Sequence, residues 1–236
     1  MARESAAAAA SILQAEFMDD AGVLNSRGKD IKTQADLSAQ QQILQRLEAS
    51  GIPVLAEEDV VQPRVSQNRI WLVDPLDGTF NFSRGFPMAA VSVALWEENK
   101  PLLGVIHEIF SGEVFSASVE GGAWLGGRKI QVSKVRDRSD AALATGLPVG
   151  RDFSPGSLRR FVESLQQYKK VRMLGSAAIM LAQVAAGRFD VYEEEDIYLW
   201  DVAAGLALVQ AAGGQYQLEP GSGSFKFHVR ASNGYL

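Results

Sequence analysis

The 236-residue sequence contains no cysteine and only two histidines, His107 and His228. The missing cysteine excludes disulfide scaffolds, thiolate zinc sites and cysteine nucleophiles, and it fits a reducing, cytoplasmic setting. Two imidazoles rule out multi-histidine metal centres and leave few candidates for a Ser-His-Asp triad. Positive charge is also scarce: 23 Lys plus Arg stand against 28 acids, for a net charge of −5. A chain of that sign lacks the basic face that phosphate backbones require, which disfavours nucleic acid as a partner. The longest nearly apolar run, Met88 to Trp96, is under half of the ~20 residues needed to span a bilayer, so no membrane segment is expected. The run Ala6 to Ala10 follows Arg3 and Glu4 and soon meets Gln14, Glu16, Asp19 and Asp20. It reads as the first turns of a helix rather than as a secretory signal. Any strong metal site in this chain must be built from oxygen.

With 47% hydrophobic and 22% charged residues, the composition suits a globular protein with a substantial core. No repeat and no Pro-, Gly- or Ser-rich linker divides it. The expectation is a single catalytic unit over residues 1–236, with approximate halves 1–135 and 136–236. Helices are expected over about residues 2–21, 35–49, 156–168, 177–186 and 201–212. Strands are expected over 52–55, 69–73, 89–96, 102–109, 113–118, 141–145, 171–174, 189–192 and 215–218. Gly121, Gly122, Gly126 and Gly127 read as turn punctuation. Helices mixed with strands throughout, and an antiparallel middle, predict an α+β or layered α/β fold.

Acidic residues collect at the ends of these elements: Glu57-Glu58-Asp59, Asp74 with Asp77, Glu193 to Asp196, and Asp201. The most informative stretch is Trp71 to Thr79. An apolar strand delivers Asp74, and Pro75 and Gly78 are expected to force a tight reversal that returns Asp77 close to it. Carboxylates held together repel unless a cation or proton sits between them. Without Cys, and nearly without His, the fitting cation is hard and oxygen-seeking, Mg²⁺ before Ca²⁺ or Mn²⁺. Gly78 and Thr79 would then present N–H groups at the start of a short helix. Each feature also has a plain structural account. Asp-Pro and Asp-Gly form turns, Thr33 to Asp36 matches a capping box, Asp201 suits a helix N-terminus, and Glu193 to Asp196 reads as a solvated run. What favours a site is that acids or hydroxyls stand at every one of these ends with no basic partner near in sequence.

The string Asp74-Pro75-Leu76-Asp77-Gly78-Thr79-Phe80-Asn81-Phe82, with Gly85-Phe86-Pro87 after it, resembles the metal-binding signature of the inositol monophosphatase family. So does Trp200-Asp201-Val202-Ala203-Ala204-Gly205 ending in Ala212-Gly213-Gly214. Leu174 to Ala178 matches a third block of that family, and Ala56-Glu57-Glu58 resembles its Gly-Glu-Glu. Lys29 to Asp36 is similar to its lysine-leading Val-Thr-x-x-Asp segment. The blocks keep the family's order over nearly the whole chain. Departures are Lys32 in place of a small apolar residue, Phe80 where Thr is frequent, and Ser83-Arg84 in place of a common Val-His pair.

The resemblance implies alternating helix and sheet layers (αβαβα) with the site at strand ends between the halves. It implies a Mg²⁺-dependent phosphomonoesterase with two or three ions, Mn²⁺ being a possible substitute. Asp74 would bridge two ions, Glu57 and the Leu76 carbonyl completing one and Asp77 with Asp201 holding the other. A third ion would lie near Glu57 and Glu58. Catalytic roles fall to Glu57 and to Thr79 tied to Asp36, which would orient and deprotonate the attacking water. Substrate contacts carry over to Asp77, Gly78, Thr79, Ala177, Glu194 and Asp201. The substrate implied is a small phosphorylated polyol, inositol monophosphate first. Phe80-Asn81-Phe82 lacks the Lys found after Asp-Gly-Thr in relatives acting on sulfated nucleotides or histidinol phosphate. Fructose 1,6-bisphosphate and NADP(H) or nucleotides are the alternatives within the superfamily, and Arg84 would favour a second phosphate. The resemblance also implies a homodimer. Two other classes are a metal-free glycosidase using Asp74 and Asp77, and a regulatory partner-binding protein on the same fold.

Overall fold

The computed structural model describes residues 1–18, 23–27, 30–58, 68–147 and 152–236. Residues 19–21 of the first expected helix, Lys29 and Asp59 lie outside the described residues, as do the side chains of Lys32 and Thr33. The chain runs α1 (Ala2–Met18), β1 (Val23–Arg27), β2 (Asp30–Thr33), α2 (Gln34–Leu47), β3 (Val54–Ala56), β4 (Arg69–Asp77) and α3 (Thr79–Ser83). It continues β5 (Ala90–Glu97), β6 (Lys100–Glu108), β7 (Val114–Ser118), β8 (Gly122–Leu125), β9 (Arg128–Ile130) and β10 (Ala142–Thr145). It ends α4 (Pro155–Leu165), β11 (Lys170–Arg172), α5 (Ala177–Ala185), β12 (Val191–Tyr198), α6 (Leu199–Ala211), β13 (Gln215–Pro220) and β14 (Lys226–Ser232).

Strands β1 and β2 form a small antiparallel pair, β3 to β9 a seven-stranded sheet in sequence order, and the remaining five a sheet ordered β11-β10-β12-β14-β13. The seven-stranded sheet is antiparallel apart from β3 beside β4. In the second sheet β10 runs parallel to both β11 and β12.

Five layers result. On α1, Ala2, Ala6, Ala9, Ala10 and Leu13 recur at helical spacing, and with Ile43 and Leu47 of α2 they are buried against Trp71, Val73, Val91 and Val93 of the first sheet. On that sheet's other face lie α5 and α6, which also cover the second sheet; Leu181, Val202, Leu206 and Val209 share one core with Leu72, Ile106, Tyr192 and Val229. A helix between two sheets must be apolar all round, and Trp200 and residues 202–209 of α6 are buried without a break. Leu165 of α4 and the following Tyr168 close the outer face of the second sheet over Leu143 and Val191. The order helix, sheet, helix, sheet, helix is the layered arrangement expected.

Small residues set the spacing of the central layers. A Cβ on Gly104 of β6 would lie 2.4 Å from the Ala204 carbonyl oxygen, and one on Gly205 of α6 would lie 2.4 Å from the Leu181 Cβ. The hairpin from β5 to β6 turns at Glu98 and Asn99, with φ of 49° and 62°, the positive pair that suits the twist of adjoining strands.

The stretch expected to reverse after Asp74 instead remains in β4 as far as Asp77, because Pro75 sits in a bulge. Asp74 faces Ser92 of β5 and Asp77 faces Ala90, so three steps on one strand oppose two on the other. Proline is tolerated there because the bulge needs no ladder N–H from it. Reversal comes only at Gly78, with φ of 89°. Among the segments read as turns, β8 and β9 are strands too short to show a period, and β1, β2 and β14 lie outside the strands expected.

Adding one methyl at Gly104 should cost about 1–3 kcal/mol, since the atom it meets is helix backbone. Thermal melts of Gly104→Ala should drop by several degrees, whereas Gly156→Ala, where a Cβ meets only an Arg160 nitrogen at 3.7 Å, should be neutral or slightly stabilising.

Candidate active site

Three elements deliver acids to one place. The Glu57 N–H donates to the Val73 carbonyl at 3.1 Å, extending the β3–β4 pairing one residue and setting Glu57 beside Asp74. The bulge in β4 then changes which face its acids occupy. Strict alternation would put Asp74 and Asp77, three apart, on opposite faces. With the extra residue both face the α5–α6 layer, while Leu76 turns to the opposite core with Val73. Asp201 enters from the first turn of α6.

One carboxylate oxygen from each of Glu57, Asp74 and Asp201 can be chosen so that all lie within 4.8 Å of one another. Asp74 is buried, with Oδ1 accepting from the Leu76 N–H at 2.9 Å. Burial first, then the charges of Glu57, Asp77 and Asp201, push its carboxyl well above the usual range. Asp201 is raised in the same way, by burial and then by Glu57, Asp77 and Glu194. Carboxylates this close repel one another, and a divalent cation would relieve that repulsion. The donor set is all oxygen, so these residues fit a hard metal ion.

Asp77 stands slightly apart from that trio. Its Oδ2 accepts from the Ser176 hydroxyl and from the Ala178 N–H at 2.7 Å, at the N-terminus of α5. Burial lifts its pKa to about 6 against the opposing pull of Ser176 and of the Ala178 and Ala177 N–H groups. The Ala177 amide expected to meet substrate therefore lies against Asp77. Ser176, also the N-cap of α5 through the Ile179 N–H at 3.2 Å, went unremarked in the sequence although it stands within the Leu174 to Ala178 block. A Ser before an apolar helix is the signal that could have marked it.

Thr79 Oγ lies 3.2 Å from Asp36 Oδ1 and 2.9 Å from the Leu76 carbonyl oxygen. Asp36 itself is buried in the first turn of α2. Gly78 is forced to be glycine, because a Cβ would lie 2.6 Å from the Met88 carbonyl oxygen at a φ of 89°. The Glu58 N–H donates to Gln40 Oε1 at 3.2 Å. Asn81 Nδ2 reaches the carbonyls of Met88 at 2.8 Å and Leu174 at 2.7 Å, fastening α3 to the segment before α5.

The run Glu193 to Asp196 is not one solvated patch. Glu193 accepts from Arg230 Nε at 2.7 Å on the outer side of the second sheet. Glu194 faces the other way, accepts from the Tyr192 hydroxyl at 2.9 Å, and is near enough to raise Asp201. Gly146 makes room for it, as a Cβ there would meet Glu194 Oε1 at 2.3 Å. Neither histidine is among the residues brought together: His107 is on β6, and His228 Nδ1 accepts from the Asp196 N–H at 3.3 Å. Arg84 lies over the exposed ring of Phe80 at 5.8 Å.

Comparison with known proteins agrees with this geometry. A relative from Xylella fastidiosa, named Nus factor SuhB, is 40% identical over 196 residues, covering 81% of this chain and 70% of its own. An inositol-1-monophosphatase of Mesorhizobium japonicum is 39% identical over 189 residues, 78% of this chain and 71% of its own. The crystal structure of extragenic suppressor protein SuhB from Bartonella henselae superimposes with a TM-score of 0.86 at 33% identity, over 98% of this chain and 92% of that one. The sequence model of the inositol monophosphatase family matches residues 1–233, and with the carboxylates of β3, β4 and α6 converging as they do, the chain belongs to that family and is a phosphoric monoester hydrolase.

Proposed function

We propose that the protein is a Mg²⁺-dependent phosphatase that hydrolyses a small phosphorylated polyol, inositol monophosphate first. The observation that carries this reading is the convergence of Glu57, Asp74 and Asp201 within 4.8 Å. Those three, with Asp77 and the Leu76 carbonyl, would hold two Mg²⁺ ions, or three with Glu58 nearby; Mn²⁺ could substitute. Bound there, the metal would polarise the phosphate ester and neutralise charge that develops on it.

The chain's own groups supply the rest. Thr79 has one hydroxyl proton and two acceptors, Asp36 and the Leu76 carbonyl. Its oxygen can therefore accept from an attacking water while its own proton points to Asp36, and Glu57 stands ready to take the water's proton. Gly78 and Thr79 N–H groups would hold the phosphate, and Glu194, Asp77 and Asp201 would receive polyol hydroxyls, with the Ala177 amide at the same helix terminus. Asp77 is poorly set to be a glycosidase nucleophile, since its Oδ2 is taken by Ser176 and Ala178. Residues 1–135 and 136–236 act as a single catalytic unit, because Asp201 comes from the second half and the other metal-holding residues from the first. The absence of cysteine supports a cytoplasmic setting.

Exposed apolar side chains flank the Asn81 bridge: Phe80, Phe86 and Met173. We assign this patch to a homodimer contact, since exposed apolar clusters mark association sites. A second reading, partner binding on the same fold, is favoured by kinship with a protein named a Nus factor.

Phosphate release from inositol 1-phosphate, fructose 1,6-bisphosphate, NADP and 3′-phosphoadenosine 5′-phosphate, each with Mg²⁺ and with EDTA, tests the activity. Magnesium-dependent release, greatest from the inositol ester, is expected; no release from folded protein would leave the partner-binding reading. Asp74→Asn should abolish turnover, and in EDTA it should melt above the wild type, because one of the crowded charges is gone. An active Asp74→Asn enzyme would sink the metal assignment. Light scattering should report a dimer for the wild type and a monomer for Phe86→Glu with Met173→Glu.

A further inference from the structure

The last acid of the run, Asp196, is nearly buried and has a φ of 57°, a backbone region that a non-glycine residue occupies only when its surroundings hold it there. It sits in a bulge of β12: Glu194 opposes Val229 of β14, and Ile197 opposes Phe227. Three steps again face two, as in β4. Without the extra residue Glu194 and Ile197 would face opposite sides of the sheet; with it both look toward the α5–α6 layer.

The Asp196 carboxylate is fully engaged. Oδ1 accepts from the Ser222 N–H at 2.7 Å, and Oδ2 from the Ser222 hydroxyl at 2.8 Å and from Lys226 Nζ at 3.2 Å. These bonds fasten the bulge to the loop between β13 and β14. The closeness requires glycine at 221, where a Cβ would come 2.7 Å from Asp196 Oδ1. The same loop then grips the start of α6. The Leu199 N–H donates to the Phe225 carbonyl at 2.8 Å, and Leu199 is the first residue of the helix whose third is Asp201. Lys226 Nζ also sits 4.8 Å above the Tyr198 ring, which stacks on Trp200 at 4.5 Å.

We infer that Asp196 is a positioning residue for the active site: by clasping the 221–226 loop it fixes the β12 bulge and the first turn of α6, so that Glu194 and Asp201 face the same space. This rests on the proposed reading of the carboxylate cluster as the catalytic metal site. Asp196 touches neither metal nor substrate in this account. Its effect passes through the loop to Asp201 and through the bulge to Glu194.

Asp196→Ala, Asp196→Gly and Asp196→Asn separate the clasp from the backbone conformation. Glycine adopts the positive φ freely but lacks the carboxylate, and asparagine tolerates that φ and still accepts from the Ser222 N–H. Mn²⁺ affinity, read by electron paramagnetic resonance without turnover, should weaken roughly 10- to 100-fold in the Ala and Gly variants. KM should rise with it, since Glu194 is displaced as well, and Asn should restore most of both. Ser222→Ala with Lys226→Met, which removes two of the three donors from the other side, should reproduce the loss in milder form and serves if Asp196→Ala does not fold. Asp196→Gly with wild-type Mn²⁺ affinity and KM would overturn the proposal, as would an Ala variant that melts earlier but keeps both constants well below its melting temperature. A wild-type protein that neither binds Mn²⁺ nor releases phosphate would instead overturn the reading of the site itself, and this inference with it.

Discussion

Repulsion among crowded, partly to fully buried carboxylates is the constraint around which the molecule is organised. Glu57, Asp74 and Asp201, with Asp77 beside them, would separate or stay protonated if their backbones could move. They cannot move far, because each is fixed by a different kind of structure: a parallel strand pairing, a bulge, a helix start and a helix N-terminus acting on a side chain. The unfavourable interaction is thus imposed by a large number of favourable ones, above all the apolar contacts of α5 and α6 with both sheets. Burial first, and the neighbouring charges after it, hold the Asp74 and Asp201 carboxyls well above their usual range.

Delivering acids from two sheets to one point requires the sheets to approach the same helix closely. Gly104 meets this need by letting β6 approach the α6 backbone at Ala204, and Gly205 leaves room for the Leu181 side chain where α5 packs on α6. Polar fasteners sit where the layers meet near the acids: Ser92 Oγ on the Trp200 carbonyl at 3.3 Å, Asn81 on Met88 and Leu174, and Ser176 on Asp77. Apart from the local bond to Met88, these bonds join residues distant in sequence and give the site a defined geometry.

Much of this was legible beforehand. The apolar strand ending at Asp74, the spacing to Asp77 and Gly78, and the acid at the start of a wholly apolar helix pointed to an oxygen-built site, and the helix and strand pattern to a layered fold. The direction of Glu194 was legible only by resemblance. What could not be read was local parity. Pro75 suggests a turn in any sequence-based account, yet cross-strand pairing with β5 keeps it in a strand, and pairing is not a property of the segment itself. Tertiary context likewise lengthened β12 beyond Tyr192, through four consecutive acids that no propensity scale would place in a strand. β14, by contrast, carries a clear alternation, with Phe227, Val229 and Ala231 inward and His228 and Arg230 outward, the period-2 pattern that marks a strand in sequence. Ser176, Tyr192 and Asn81 matter through partners dozens of residues away or through a buried hydroxyl, and composition does not disclose such roles.

The two bulges have a consequence for how a sheet can encode a site. An uninterrupted strand offers its interior only every second residue, so acids on one face must be spaced by even numbers. A single inserted residue inverts the code downstream. In β4 and again in β12 this inversion lets residues three apart, Asp74 with Asp77 and Glu194 with Ile197, share a face. It also leaves the segment before each bulge free to satisfy its own core. Deleting one residue at either place would restore regular pairing while turning every later side chain of that strand inside out. The irregularity is therefore information: it is the point at which a scaffold's alternation is broken so that its end can be addressed independently of its middle.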